Sequence, residues 1–180
     1  MGLFLETAVL PRCTKKQAQS AVQAAAEAND EFCIQLSECH FVEQKNGTSI
    51  VFNEEIVGFD SLAEMLSATV GGRVLYLYIY DEDFWGYYFY DKGEKLDSFM
   101  TEPDYFGEET EGNNGNPELI AKSFGVKTQD IEKYLVAWTE EMYEEEAAAY
   151  DSDEFAYCDP WQMADFMAKI GFPYTFSQEI

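Results

Sequence analysis

Between two aromatic runs, Tyr76–Tyr80 and Phe84–Tyr90, the chain places Asp81, Glu82 and Asp83 side by side. Three adjacent carboxylates flanked by rings can hold a divalent cation. They can equally receive the cationic side chains of a partner while the rings supply contact area. Asp81-x-Asp83-x-x-Gly86 opens like an EF-hand loop, but Trp85 stands at the fifth position and Lys92 at the twelfth, where oxygen ligands are required. Asp151-x-Asp153-Glu154 fails in the same way, with Ala156 in place of the loop glycine. No metal site is expected at either place, and recognition of a basic partner is the favoured chemistry.

Nucleophile chemistry is poorly served. His40 is the single histidine, and it follows Cys39 on an expected strand, where neighbouring side chains face opposite ways. The four cysteines, Cys13, Cys33, Cys39 and Cys158, make no C-x-x-C pair, so no structural zinc is expected. Cys33 and Cys39 are too far apart along one expected strand to bridge. Free thiols point to a reducing cytosol. The chain has no G-x-S-x-G, no phosphate loop and no G-x-G-x-x-G. Paired carboxylates are everywhere and discriminate nothing. No catalytic residue and no cofactor are expected.

The charge sets the class of partner. Thirty-five Asp and Glu stand against 11 Lys and Arg, a net charge of -24 in 180 residues. An aromatic content of 16% separates the chain from a disordered acidic tail. Such a surface disfavours nucleic acid phosphates and anionic membrane, and favours a basic protein or simple solubility. The excess is uneven: residues 101–159 hold 17 acids and 3 bases. Glu140, Glu141, Glu144, Glu145 and Glu146 cluster at the expected end of one helix, where they oppose its dipole unless the run is a solvated loop. Met1–Leu10 lacks a basic n-region and carries Glu6, so no signal peptide is read there, and Glu6 also spoils a myristoylation pattern. No apolar stretch approaches a membrane span. A cytoplasmic location is expected, with oligomeric state left open.

The elements that must position these residues follow from periodicity. Leu3–Leu10 reads as a strand closed by Pro11. Thr14 and Gln17 form a capping box before a helix with Ala18, Ala21, Val22 and Ala25 on one face. Phe32–Val42 reads as a strand, Asn46-Gly47 as a type I′ hairpin turn, and Ser49–Phe52 as the returning strand. Ser61 and Glu64 suggest a second capping box, with Gly71-Gly72 ending that helix. Val74–Tyr80 is the fourth strand. This β-α-β-β-α-β start is the ferredoxin-like arrangement, extended by strands at Phe84–Tyr90 and Lys95–Met100.

The fourth strand has two faces: Tyr76, Tyr78 and Tyr80 on one, Leu75, Leu77 and Ile79 on the other. The aliphatic face is expected under the first two helices. The tyrosine face is then either an open docking surface or core beneath C-terminal helices. Residues 102–116 read as an acidic loop. A helix capped by Asn116-Pro117 and ended by Gly125 follows. A longer helix is expected from Thr128, with Ile131, Tyr134, Leu135, Trp138 and Met142 as its stripe. The last helix starts at Asp159-Pro160, with Met163, Phe166, Met167 and Ile170 inward. The expected organisation is one α+β domain over residues 1–180: a sheet part (1–100), the acidic loop (101–116) and a helical part (117–180) packed on the sheet.

Two stretches carry a family resemblance: Asp83-Phe84-Trp85-Gly86-Tyr87-Tyr88-Phe89-Tyr90 leading to Asp104-Tyr105-Phe106, and Asp159-Pro160-Trp161-Gln162-Met163-Ala164-Asp165-Phe166-Met167. They resemble uncharacterised small acidic bacterial proteins of the kind met among immunity proteins of toxin systems. The resemblance spans most of the chain, implies a cytosolic binding protein and supplies no catalytic residues to carry over.

The expectation is therefore a non-enzymatic domain that binds a basic partner, as an immunity protein neutralises a toxin. Its contact residues are expected to be Asp81, Glu82, Asp83, Trp85, Tyr105, Glu108, Glu109 and Glu111. Two alternatives stand beside it. One is a small-molecule-binding module or enzyme with an aromatic pocket on the sheet face. The other is a structural domain whose acidity serves solubility.

Overall fold

A computed structural model of the chain describes residues 2–53, 56–107 and 115–175. Its strands are β1 (Leu5–Pro11), β2 (His40–Gln44), β3 (Gly47–Val51), β4 (Arg73–Tyr80), β5 (Phe84–Asp91) and β6 (Glu94–Met100). Its helices are α1 (Lys15–Ala28), α2 (Phe59–Val70), α3 (Pro117–Phe124), α4 (Glu140–Glu145) and α5 (Gln162–Lys169). The strands form one antiparallel sheet in the order β2-β3-β1-β4-β5-β6. No helix among the described residues is long and apolar enough to cross a membrane.

Both faces of the sheet are covered, which is why β1 and β4 read as near-continuous apolar runs. Ala8, Leu10, Val74 and Tyr76 pack with Ala18, Ala21, Val22 and Ala25 of α1 and with Leu62 and Leu66 of α2. Val9, Leu75, Leu77, Ile79, Trp85, Tyr87 and Phe89 pack with Ile120, Tyr134, Trp138, Met163 and Phe166 of the C-terminal part.

The two faces of β4 are thus the reverse of the sequence expectation. Tyr76 lies fully buried on the α1–α2 side, stacked near Phe52 and Phe59 at 5.5 and 6.2 Å. The aliphatic residues lie under the C-terminal part. Volume explains the exchange. An alanine-lined α1 leaves room for tyrosine rings, whereas the large side chains of the C-terminal part need the smaller Leu and Ile opposite them.

Local chemistry holds at several elements. Thr14 and Gln17 close the expected capping box on α1. Asn116 caps α3 by accepting from the Leu119 N–H, with Pro117 in the first turn and Gly125 left-handed at the end. Gly71 ends α2 in the same left-handed way.

Other elements differ. α2 starts two residues before Ser61, at Phe59, and Gly58 stands at its cap without a side-chain bond. The stretch expected as a strand from Phe32 begins as a 3-10 turn, Asp30–Phe32, and pairing starts only at His40. Cys33 is left-handed and exposed, so it shares no strand with Cys39. The β2–β3 loop is Lys45-Asn46, because Gln44 pairs with Gly47, and neither loop residue has positive φ. The hairpin is present but is not type I′. Gly47 serves another purpose: a Cβ there would run into the Leu10 carbonyl. The two-residue turn with both φ values positive is Lys92-Gly93, between β5 and β6.

The long helix expected from Thr128 is replaced by two 3-10 turns, Thr128–Asp130 and Glu132–Tyr134, and the separate short α4. Its stripe is still buried: Ile131, Tyr134, Leu135 and Trp138 all face the core. Breaking the helix lets a short segment follow the twisted sheet. It also puts Glu140 and Glu141 in the first turn of α4, where the helix dipole favours acids.

Candidate functional site

The β4–β5 connection is a three-residue turn in which Asp81 and Glu82 both take left-handed φ, 50° and 63°. The Glu82 N–H donates to the Leu3 carbonyl at 2.9 Å, and the Asp83 N–H to the Tyr80 carbonyl at 2.9 Å. The turn is thereby anchored to the N-terminal segment with its carboxylates outward. All three acids are exposed.

Beside the turn lies a group of rings. Tyr80 meets Phe4 edge-on at 5.0 Å and Phe84 stacked at 5.4 Å. Tyr105 and Phe106 close over this pair: Tyr105 lies 4.7 Å from Phe84, and Phe106 lies 5.3 Å from Tyr80. Tyr105 donates its hydroxyl hydrogen to Asp83 Oδ2 at 2.7 Å. That bond, with the charges of Asp83 and Asp81, pushes the Tyr105 phenol up to about 12. A little further on, Tyr143 donates to Glu102 Oε1 at 2.8 Å, and partial burial, followed by this bond, raises its phenol too. Burial and the Glu102 charge push the neighbouring Cys158 thiol up to about 11, so it is a poor nucleophile.

Among the described residues, the exposed aromatic rings are Tyr105 (39%), Phe106 (55%) and Tyr143 (52%), and all three lie here. Exposed rings set among carboxylates suit one kind of contact well. A guanidinium or ammonium can pair with a carboxylate while its flat or aliphatic part lies on a ring.

The structure therefore brings Asp81, Glu82, Asp83 and Tyr105 together, as the sequence reading grouped them. Trp85 stands apart. It is fully buried, its indole N–H donates to Gln162 Oε1 at 3.3 Å, and its ring packs on Phe99 and Phe166. Alternation explains this: Trp85 is the second residue of β5 and points to the face that the C-terminal part covers. Glu108, Glu109 and Glu111 lie outside the described residues.

The sequence reading did not single out Phe106, Tyr143 and Glu102 as contacts. Tyr143 had a usable signal: it is an aromatic residue off the stripe that buries Trp138 and Met142. The tyrosine face offered as a docking surface is interior at Tyr76 and Tyr78, and only Tyr80 reaches the surface region. No known protein family, curated protein sequence or solved structure matches the chain.

Proposed function

We propose that the protein is a non-enzymatic binding domain, of the immunity or antitoxin kind, that captures a basic protein through the β4–β5 end of its sheet. The observation that carries this reading is the concentration of exposed rings at that end, within a collar of carboxylates from Asp81, Glu82, Asp83, Glu102 and Asp104. The net charge of -24 would steer a cationic partner from a distance. Tyr105 and Phe106 would give most of the affinity, since buried aromatic anchors dominate interfaces. Glu108, Glu109 and Glu111, which lie outside the described residues, belong to the same proposed contact set on the sequence alone.

The first four strands with α1 and α2 are read as a ferredoxin-like unit extended by β5 and β6. The order β2-β3-β1-β4 and the placement of both helices on one face support this. The location is read as cytoplasmic, supported by four free thiols.

The test is a pull-down from the native lysate with the wild-type protein and with a Tyr105→Ala/Phe106→Ala double variant. A basic protein should be retained at low ionic strength by the wild type and lost from the variant. It should be released at about 1 M salt, where the Debye length falls to about 3 Å. Equal retention by both proteins, or retention insensitive to salt, refutes the reading.

A further inference from the structure

At the opposite end of the sheet, two adjoining clefts open beside Pro11, Arg12, Cys13 and Ser123, with volumes of about 530 and 450 Å³. Arg12 lines both. Lys45 and Lys122 line the first, and Arg73 and Lys92 the second. Five of the eleven basic residues in a chain of net charge -24 thus converge on one place. Among the described residues, two carboxylates line the clefts, Glu43 and Asp91, and both are engaged. Glu43 accepts from the Lys15 N–H at the start of α1, at 2.6 Å. Asp91 accepts from Arg73 Nε at 3.4 Å. Among the described residues, no carboxylate lies within ion-pair range of Arg12, Lys45, Lys92 or Lys122. Four cations lining adjoining clefts without an ion-pair partner among the described residues are unexpected where acids outnumber bases threefold.

The backbone adds an independent sign. Arg12 holds a left-handed φ of 59° just after β1, and its N–H donates to the Asn46 carbonyl at 2.7 Å. That geometry favours glycine, yet the chain keeps a long cationic side chain there. The bond to Asn46 fixes Arg12 against the β2–β3 loop that carries Lys45. The two clefts meet at Arg12.

From this convergence we propose that the paired clefts bind a small, doubly anionic ligand of the diphosphate type, with Arg12 shared between its two phosphoryl groups. Lys45 and Lys122 would hold one group, and Arg73 and Lys92 the other. Guanidinium and ammonium groups are the usual phosphate donors, and volumes of this size suit a small molecule. Nucleic acid fits poorly. A long polyanion would have to lie across the acidic remainder of the surface, whereas a small one feels mainly the charges within a Debye length, about 10 Å at 0.1 M salt. At the α1 N-terminus the Lys15 and Gln17 N–H groups are already bonded to Glu43 and Thr14, so the cationic side chains carry the proposal.

The experiment is calorimetric titration of the full chain with pyrophosphate, with orthophosphate for comparison and sodium chloride at matched ionic strength as control. Pyrophosphate should bind at one site per chain and tighter than orthophosphate. Arg12→Gln should weaken it about 10- to 100-fold, the worth of a charge-assisted hydrogen bond. Lys122→Gln and Lys92→Gln should each weaken it by less. Lys133→Gln, outside the clefts, should leave it unchanged. All four side chains can be changed without touching the core, and circular dichroism would verify the fold. Pyrophosphate heat no larger than the salt control, or an Arg12→Gln affinity within twofold of wild type, overturns the proposal. Neither result bears on the capture of a basic protein at the other end.

Discussion

The two ends of the sheet are built from the same parts and carry opposite charge. At the β4–β5 end, a three-residue turn presents Asp81, Glu82 and Asp83 beside exposed rings. At the other end, the β2–β3 loop, the residue after β1 and the β5–β6 turn present Lys45, Arg12 and Lys92 around open clefts. A net charge describes neither. Averaged over the chain, -24 predicts a uniformly negative surface. The fold instead gathers five of the eleven bases at one pole and leaves the exposed rings at the other. The acidic pole offers exposed rings among carboxylates, the geometry of a protein contact. The basic pole offers cavities and little exposed aromatic area, the geometry of a small-ligand site.

The largest effect concerns what each pole stands on. The acidic pole rests on Trp85, fully buried between β5 and the C-terminal part. Trp85→Ala should cost about 3–5 kcal/mol, as removal of a buried large aromatic does. Phe124 lines the basic cleft and is only half-buried, so Phe124→Ala should cost distinctly less. The check is the denaturant midpoint of each variant at unchanged m-value. Equal losses would mean that the two ends share one support.

Next comes the cross-over between the poles. Tyr105→Ala/Phe106→Ala should weaken capture of the basic protein by about 30-fold or more, the loss of a hot spot worth about 2 kcal/mol. It should leave pyrophosphate binding unchanged. Arg12→Gln should do the reverse. Measuring both affinities for both variants gives four numbers. A variant that moves both affinities would show that the poles are coupled.

How far the sequence foretold this differs by feature, for physical reasons. The strands other than the one expected at Phe32–Val42, the α1 capping box and the α3 cap were legible because their signals are local: period-two alternation, a Thr–Gln spacing and an Asn-Pro start. The faces of β4 were misread because alternation says which residues share a face, not which neighbour covers it. That choice was settled by the small residues of α1 against the bulky ones near Phe166, a comparison across more than a hundred residues. The helix expected at 128–142 failed because its apolar spacing reports burial, and two 3-10 turns bury the same residues. The carboxylates of the β4–β5 turn stood out because they are contiguous. The basic clefts did not, because the residues are scattered along the chain: the antiparallel register gathers Arg12, Lys45, Arg73 and Lys92 at one end, and the packing of α3 adds Lys122.

A narrower effect tests the electrostatics of the acidic pole alone. The Tyr105 phenol is pushed up to about 12, first by its hydrogen bond to Asp83. Asp83→Asn should bring it back toward the ordinary value near 10. The check is a titration of ¹³C-labelled tyrosine followed by NMR, with Tyr105→Phe identifying the signal. The sign follows from the raised value. The bond's contribution is fully present below about pH 10 and is lost as pH rises through about 12, when phenolate would face carboxylate. No change in Asp83→Asn would assign the raised value to the other acids of the turn.

The smallest effect compares the poles through their backbones. Arg12 and Glu82 both hold left-handed φ, 59° and 63°, with exposed side chains. Left-handed backbone costs an ordinary residue about 1–2 kcal/mol, while glycine adds about 0.5–1 kcal/mol of unfolded-chain entropy. Arg12→Gly and Glu82→Gly should therefore each stabilise the protein by about 0.5–1 kcal/mol, read as a rise in the denaturant midpoint. If the charges at the two poles are there for binding, each variant should become more stable while losing affinity only at its own pole. A glycine variant that gains stability and keeps full affinity would mean that the charge at that pole serves solubility rather than recognition.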